Sequence, residues 1–127
     1  ELLLVSQFRT ALGRRLLELP AGLRDVDGEV EIDTARRELE EEVGYVAGTI
    51  EPLVTLATAV GFTDESISIF LATDLRPTER HADGIEEESM TVVRVSFSEI
   101  DGLIARGELT DAKTVAGILV ARSRLGC

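Results

Sequence analysis

The sequence predicts a single α/β domain, spanning residues 1–127, in which helices interrupt a mixed β-sheet. The 127 residues are enough for one hydrophobic core but hardly for two. Hydrophobic residues make up 44% of the chain, which is typical of a globular fold rather than a disordered one. Strand-like runs outnumber helical ones without a strict strand–helix–strand rhythm, which favours a mixed sheet over a doubly wound parallel one.

The first half of the chain contains two short strands followed by an acidic helix. Residues 2–8 form an apolar run typical of a buried strand, and residues 14–19 form a second strand that ends at Pro20. Asp33 is a plausible N-cap for a helix of about ten residues. Gly44 is the expected C-terminal stop of this helix, because glycine tolerates the left-handed conformation that ends helices.

The second half alternates strands and polar loops before two helices. Strands are predicted at residues 51–58 and 66–72, with a loop between them. Residues 75–89 are polar and rich in turn formers, so we expect a long loop there. A strand at residues 91–97 is followed by amphipathic helices at 98–109 and 111–124.

Charge and cysteine content exclude several classes of protein. The formal net charge of −11 argues against a nucleic-acid partner, although a phosphorylated substrate remains compatible if a cation is bound. No apolar run reaches the roughly 18 residues that span a membrane, so we expect no membrane partner. The single cysteine, Cys127, predicts no disulfide framework and indicates a cytoplasmic location.

The acidic helix has two neighbouring faces when each residue is rotated by about 100°. An apolar arc is predicted to face the core, and it contains Ile32, Ala35, Leu39 and Val43. The adjacent arc carries one guanidinium and three carboxylates, those of Arg37, Glu38, Glu41 and Glu42. Glu40 points towards solvent. Acidic runs are often only solvated surfaces, since like charges at this spacing cost about 0.2–0.5 kcal/mol per pair.

The context of this helix resembles the signature of the Nudix hydrolase family. That signature places Gly and Glu ahead of an Arg-Glu-apolar-any-Glu-Glu-any-Gly-apolar run. This chain has Gly22 and Glu29 ahead of the run from Arg37 to Tyr45, which includes Gly44. The departure is one extra residue between Gly22 and Glu29. The resemblance implies a Nudix-type α/β/α sandwich, with Gly22, Glu29 and Gly44 as structural positions of the motif.

Members of this family hydrolyse nucleoside diphosphates linked to another group, and they use divalent cations. The resemblance implies that Glu38 and Glu42 are the leading ligands for Mg²⁺ or Mn²⁺, with two or three ions present when substrate is bound. Glu41, Glu88 and the backbone carbonyl of Ala21 are further candidate ligands. Arg37 is implied to orient the helix carboxylates, since its planar guanidinium suits that role.

The sequence around the motif is similar to ADP-ribose pyrophosphatases over nearly the whole chain. The shared segments include VSQFR, ELPAGL, GFTDE and EEESMTVVRVSFSEI. This resemblance places the catalytic base on the acidic loop before the last strand and favours Glu86, with Glu87 as the fallback. One departure is Val60, which stands where ADP-ribose-preferring members usually carry proline.

Three further residues are candidates for substrate binding. Arg9 follows the first strand and is expected to face a phosphate or the terminal ribose. Glu65, and less so Asp64, is expected either to bind a ribose hydroxyl or to hold its loop. The implied reaction is hydrolysis of ADP-ribose or a related ADP-sugar to AMP and a sugar phosphate. The alternatives are another nucleoside diphosphate substrate and a non-catalytic module that binds a nucleotide.

The resemblance also predicts a homodimer. ADP-ribose pyrophosphatases pair through an N-terminal strand region that reaches the partner. This chain starts without Met, directly on a strand-like run, so we expect that this strand region is either absent or trimmed from the sequence given.

Overall fold

The computed structural model describes residues 1–20, 30–79 and 90–127. In chain order the elements are β1 (Leu2–Arg9), β2 (Arg14–Glu18), α1 (Glu31–Glu38) continued by a π-helical turn (Leu39–Val43), β3 (Tyr45–Ala57), β4 (Ser66–Pro77), β5 (Thr91–Val95), a 3-10 turn (Phe97–Glu99), α2 (Ile100–Ala105) and α3 (Ala112–Leu125). This order confirms the predicted α/β class. No helix in these described parts of the chain is both long and apolar enough to cross a membrane.

The described strands form two antiparallel sheets. Strand β1 lies at the centre of a three-stranded sheet, between β2 and β5. The β1–β2 register places Val5 opposite Glu18. Strands β3 and β4 form a long two-stranded hairpin. Every pairing among the described residues is antiparallel, so the parallel component of the predicted mixed sheet does not occur within this part of the chain.

Consecutive residues of β1 contribute to two different core clusters. Leu4 is fully buried in a cluster that β5, α2 and α3 complete, with Val95, Ile100, Leu109 and Ile118. Val5 faces the other way and packs with Val43 and Met90, beside Leu39. This alternation is the period-2 pattern of a strand that is buried on both faces. The second cluster holds the end of the acidic helix against the central strand.

Helix α3 approaches the rest of the fold most closely at Gly117. A Cβ atom at this position would lie 2.8 Å from Cδ1 of Leu19 and 3.2 Å from Cδ1 of Ile69. Real Cβ atoms essentially never approach a neighbour to less than 3.0 Å. Glycine therefore allows α3 to pack against both the end of the β2 segment and the β3–β4 hairpin.

The start of α1 differs from the prediction. Val30, rather than Asp33, is the N-cap, with φ −76° and ψ 153°, and no side chain caps the helix. The N–H groups of Asp33 and Thr34 both donate to the Val30 carbonyl at 3.1 Å, so the helix already includes Asp33. The Asp33 carboxylate lies in the first turn, where it still interacts favourably with the helix dipole.

Several predicted element boundaries move. The hairpin strands begin at Tyr45 and end at Pro77, so both are longer than predicted, and residues 75–77 of the predicted 75–89 loop are strand. The last strand ends at Val95 because Ser96 begins a capping box with Glu99. The predicted 98–109 helix is correspondingly split into a 3-10 turn and the short α2.

Candidate active site

The acidic helix changes its geometry within the motif. From Leu39 onwards the turns widen, and the Gly44 N–H donates to the Leu39 carbonyl, five residues back, at 3.0 Å. Gly44 ends the turn with φ 82°, as predicted for a left-handed stop. Single π-helical turns of this kind frequently occur at functional sites. The Gly44 carbonyl accepts a bond from the Thr78 N–H at 2.8 Å, which ties the end of β4 to the end of the helix.

The buried face of this helix differs from the prediction because it includes a carboxylate. Thr34, Glu38 and Val43 are buried, whereas Ala35 and Leu39 are only partly so. Glu38 retains 9% of its surface exposed. Glu38 was predicted on the arc beside the apolar face, and the structure places it in the buried face itself. Regular 100° rotation does not predict the observed face, and it no longer applies once the helix widens at Leu39.

One oxygen of Glu38 has no hydrogen-bond partner within residues 1–20, 30–79 and 90–127. Its Oε2 atom is buried and unpaired, while Oε1 lies 3.2 Å from Nη1 of Arg37. A buried carboxylate oxygen without a donor is costly, and each such atom in a native protein requires an explanation. Mg²⁺ and Mn²⁺ bind carboxylate oxygens, so a bound cation would satisfy this atom.

Arg37 connects two carboxylates of the motif. Its Nη1 atom lies 3.2 Å from Oε1 of Glu38 and 3.2 Å from Oε2 of Glu41. The Arg37 side chain is one-quarter exposed, and that of Glu41 is 41% exposed. This arrangement restricts the rotamers of both carboxylates. On the same side of α1 lies an open groove of about 380 Å³, whose lining includes Arg36, Arg37, Glu40, Glu41, Thr78 and Glu79.

The described residues do not by themselves form a metal site. Across residues 1–20, 30–79 and 90–127, no three Asp, Glu, His or Cys side chains converge on one point. The predicted residues Ala21, Gly22, Glu29, Glu86, Glu87 and Glu88 lie outside the described residues. The donor chemistry that is present nevertheless fits a hard divalent cation, because the unpaired Glu38 oxygen lies on the helix that also carries Glu41 and Glu42.

Arg9 is held by a buried carboxylate that the sequence analysis did not single out. Its Nε and Nη2 atoms donate to the two oxygens of Glu18, at 2.6 and 2.7 Å. Glu18 is 1% exposed, whereas the Arg9 side chain is 41% exposed. Burial alone raises the pKa of Glu18, but the hydrogen bonds from Arg9 and Lys113 outweigh it and hold that pKa below its ordinary value. The signal in the sequence was a glutamate inside an apolar strand.

Glu65 and Asp64 lie at the tip of the β3–β4 hairpin. Glu65 accepts a hydrogen bond from the Thr58 hydroxyl at 2.7 Å, and its carbonyl accepts one from the Thr58 N–H. Glu65 therefore closes the loop, which is one of its two predicted roles. The thirteen residues of β3 span roughly 40 Å at the usual rise of a strand. The hairpin tip is consequently far from Gly44 and the carboxylates beside it in the same chain.

Comparisons with known proteins connect this site to one family. The model of the NUDIX domain matches residues 1–117. The chain is 46% identical over 120 residues to an ADP-ribose pyrophosphatase from Mycobacterium tuberculosis, covering 94% of this chain and 58% of that protein. It is 35% identical over 126 residues to a GDP-mannose pyrophosphatase from Yersinia enterocolitica, covering 89% of this chain and 62% of that protein.

A solved structure shows the same fold. The crystal structure of an ADP compounds hydrolase superposes with a TM-score of 0.85 at 27% sequence identity, covering 98% of this chain and 65% of that one. The chain thus spans about six tenths of the length of the relatives it matches. The matched domain, the shared fold and the motif carried by α1 and its π-helical turn lead to one conclusion. This chain belongs to the Nudix family.

Proposed function

We propose that the protein hydrolyses the diphosphate bond of ADP-ribose or a related ADP-sugar and releases AMP and a sugar phosphate. The observation that carries the proposal is the buried, unpaired oxygen of Glu38 on the Nudix helix. An anionic substrate would be repelled by a chain of net charge −11 unless cations were bound beside it. The 46% identity to an ADP-ribose pyrophosphatase supports the choice of substrate.

In the proposed site, Glu38, Glu41 and Glu42 would hold Mg²⁺ or Mn²⁺, and the Ala21 carbonyl and Glu88 would be additional ligands. Two or three ions when substrate is bound would neutralise charge on the diphosphate oxygens. Arg37 keeps the carboxylates of Glu38 and Glu41 in place, as its two 3.2 Å contacts suggest.

The proposed hydrolysis is an attack of water on phosphorus. Glu86, or Glu87 if the alignment shifts by one position, accepts a proton from that water. A new bond forms between phosphorus and the water oxygen, and the bond to the bridging oxygen breaks. By resemblance to the family, Gly22 is assigned a structural role, and Glu29 would brace the loop or bind metal in an outer position. The Arg9 guanidinium binds the phosphates, and part of its side chain is exposed to receive them.

The preferred substrate distinguishes the proposed ADP-ribose hydrolase from a hydrolase of another nucleotide sugar. The identity to a GDP-mannose pyrophosphatase supports a nucleotide sugar as the alternative substrate. Val60 stands at the exposed hairpin tip with 81% of its surface accessible, where ADP-ribose-preferring relatives usually have proline. A panel of ADP-ribose, GDP-mannose, UDP-glucose and diadenosine tetraphosphate, with Mg²⁺ or Mn²⁺, tests both. The fastest turnover is expected with ADP-ribose, measured as AMP release.

Matched variants test the site itself. Glu38→Gln and Glu42→Gln are expected to lower kcat by at least about a hundredfold, since each removes a charged ligand. Glu40→Gln, on the same helix, is expected to stay within about threefold of wild type. Absence of turnover with every substrate of the panel would refute the proposed enzyme. Tight ADP-ribose binding without hydrolysis would instead favour the non-catalytic module.

We also propose that the protein forms a homodimer. Val60 and Phe62 expose 81% and 88% of their surfaces at the hairpin tip, which is an unusual position for two large apolar side chains. In a dimer, Glu65 and Asp64 would contact the substrate of a second copy, because the hairpin separates them from the carboxylates of their own chain. Light scattering is expected to give twice the mass of one chain, and a monomer mass would contradict this.

A further inference from the structure

Lys113, near the start of α3, shares the carboxylate that holds Arg9. Its Nζ atom lies 3.0 Å from Oε1 of Glu18, the same oxygen that accepts from Nη2 of Arg9. Glu18 thus receives three charge-assisted hydrogen bonds from two cations that belong to different parts of the fold. Such bonds are about twice as strong as neutral ones, and together they leave the carboxylate a single orientation.

The same lysine is anchored to its own helix. Nζ of Lys113 donates to Oδ2 of Asp111 at 2.9 Å, and Asp111 is the N-cap of α3. That oxygen also accepts from the hydroxyl and the N–H of Thr114, at 2.6 and 3.2 Å. The Thr114 hydroxyl in turn accepts from the Leu19 N–H at 3.0 Å. The hydrogen-bond network therefore returns to Leu19, the residue after Glu18, and it links β1, the β2 segment and α3.

The position of Lys113 is not explained by helix formation. A cation in the first turn of a helix is unfavourable, because the N-terminus carries the positive end of the helix dipole. Burial also lowers the pKa of Lys113, yet its hydrogen bonds to Asp111 and Glu18 outweigh burial and raise that pKa above its ordinary value. The contacts with these two carboxylates thus keep the lysine charged in the first turn of the helix.

We propose that Lys113 is a positioning residue that acts on substrate binding through Arg9. Lys113 fixes the plane of the Glu18 carboxylate, and Glu18 then fixes the guanidinium of Arg9 through two hydrogen bonds. The Arg9 side chain is consequently restricted to few rotamers before the diphosphate binds, so it loses less conformational entropy on binding. This inference rests on the proposed function, in which Arg9 binds the phosphates.

The kinetic test separates binding from chemistry and uses a double-mutant cycle. Lys113→Met is expected to raise the KM for ADP-ribose about tenfold and to leave kcat within about twofold. Lys113→Arg, which keeps a charged donor, is expected to restore KM. In an Arg9→Lys background, which has its own raised KM, adding Lys113→Met is expected to cause no further rise. The matched control is Arg122→Met on the same helix, since Arg122 pairs with the exposed Asp101, and it should change neither constant.

Three outcomes would overturn the proposal. The first is an equal rise in KM in both Arg9 backgrounds, because Lys113 would then act independently of Arg9. The second is a fall in kcat at unchanged KM. The third is a normal KM in a folded Lys113→Met. Should thermal melting show that Lys113→Met does not fold, Lys113→Gln takes its place in the same cycle, since it removes the charged donor to Glu18 and keeps a polar side chain beside Asp111.

A measurement without substrate distinguishes this proposal from the proposed function. The Nε–H resonance of Arg9, assigned by its loss in Arg9→Lys, is expected to exchange slowly with water in the ligand-free wild-type protein. In Lys113→Met it is expected to exchange several-fold faster. Equal exchange in both proteins would overturn the positioning role even if ADP-ribose is hydrolysed. If ADP-ribose is not hydrolysed, slow exchange would still support the restriction of Arg9.

Discussion

Glu18→Gln is expected to destabilise the protein strongly although glutamine has nearly the same size and shape as glutamate. Glu18 accepts bonds of 2.6 and 2.7 Å from Arg9 and one of 3.0 Å from Lys113, and it is 1% exposed. Glutamine keeps one oxygen acceptor and places an amide NH₂ against a cation at the other position. At least one charge-assisted bond, worth about 1.5–3 kcal/mol, is therefore lost.

Partial exposure of the two cations reduces this cost. The side chains of Arg9 and Lys113 are 41% and 27% exposed, so water replaces part of what Glu18 supplied. We therefore expect the free energy of unfolding to fall by about 2–3 kcal/mol, below the upper range for breaking a fully buried pair. Urea unfolding at pH 7, followed by circular dichroism, measures this through the midpoint and the slope.

The stability difference between wild type and Glu18→Gln is expected to depend on pH. Because the pKa of Glu18 is lowered in the folded protein from its ordinary 4.5, the unfolded chain takes up this proton first as the pH falls. The stability difference between wild type and Glu18→Gln is thus expected to be constant from pH 7 to about 5 and to shrink below pH 4.5.

A surface glutamate provides the control for this prediction. Glu51 is 49% exposed on β3 and pairs with Arg124 at 3.4 Å, so Glu51→Gln should change the unfolding free energy by less than about 0.5 kcal/mol. The reasoning would be refuted if Glu18→Gln cost no more than Glu51→Gln. It would also be refuted if the difference between wild type and Glu18→Gln grew, instead of shrinking, in acid.

Three further changes test the packing, the helix end and the proposed metal site. Gly117→Ala should lower the free energy of unfolding by about 1–3 kcal/mol because its Cβ would lie 2.8 Å from a neighbouring methyl group, whereas Gly61→Ala, with nothing within 4 Å, should be nearly neutral in the same urea titration. Gly44→Ala should cost about 1–2 kcal/mol, since φ is 82° there, and an unchanged melting temperature would contradict this. Mn²⁺ at about a hundred times its Kd should raise the free energy of unfolding of the wild-type protein by about 2.7 kcal/mol. The rise should be equal in Glu40→Gln and much smaller in Glu38→Gln, which lacks the charged ligand. Equal stabilisation of the wild type and both variants in scanning calorimetry would contradict the proposed metal site.

The local elements of the fold were largely predictable. Apolar alternation located all five described strands, and Gly44 marked the end of the acidic helix. The boundaries were less predictable because they depend on partners. Residues 45–50 are strand because β4 pairs with five of the six, and no pattern within those residues specifies that partner. The N-cap was misplaced because no capping side chain exists to mark it.

The motif on the acidic helix was predictable, whereas the environment of its side chains was not. Rotation of a regular helix grouped Glu38 with Glu41 and Glu42 beside the apolar face, but the structure buries Glu38 and leaves its Oε2 atom without a partner among the described residues. Arg9 was predicted as a substrate contact, but its ion pair with Glu18 depends on the antiparallel register of β1 and β2. The contact from Lys113 to Glu18 joins residues 95 positions apart, which no local pattern reveals.

The sequence by itself determined the family, the carboxylates that suit a divalent cation and the α/β class, because these depend on residue identity and on spacings within one or two turns of chain. Only the tertiary structure decided which carboxylates are buried and which cations pair with them. Those properties arise from strand register and from packing between distant segments. The free energy of a charged side chain depends on the burial and the partners that the fold gives it, and the sequence alone does not specify them.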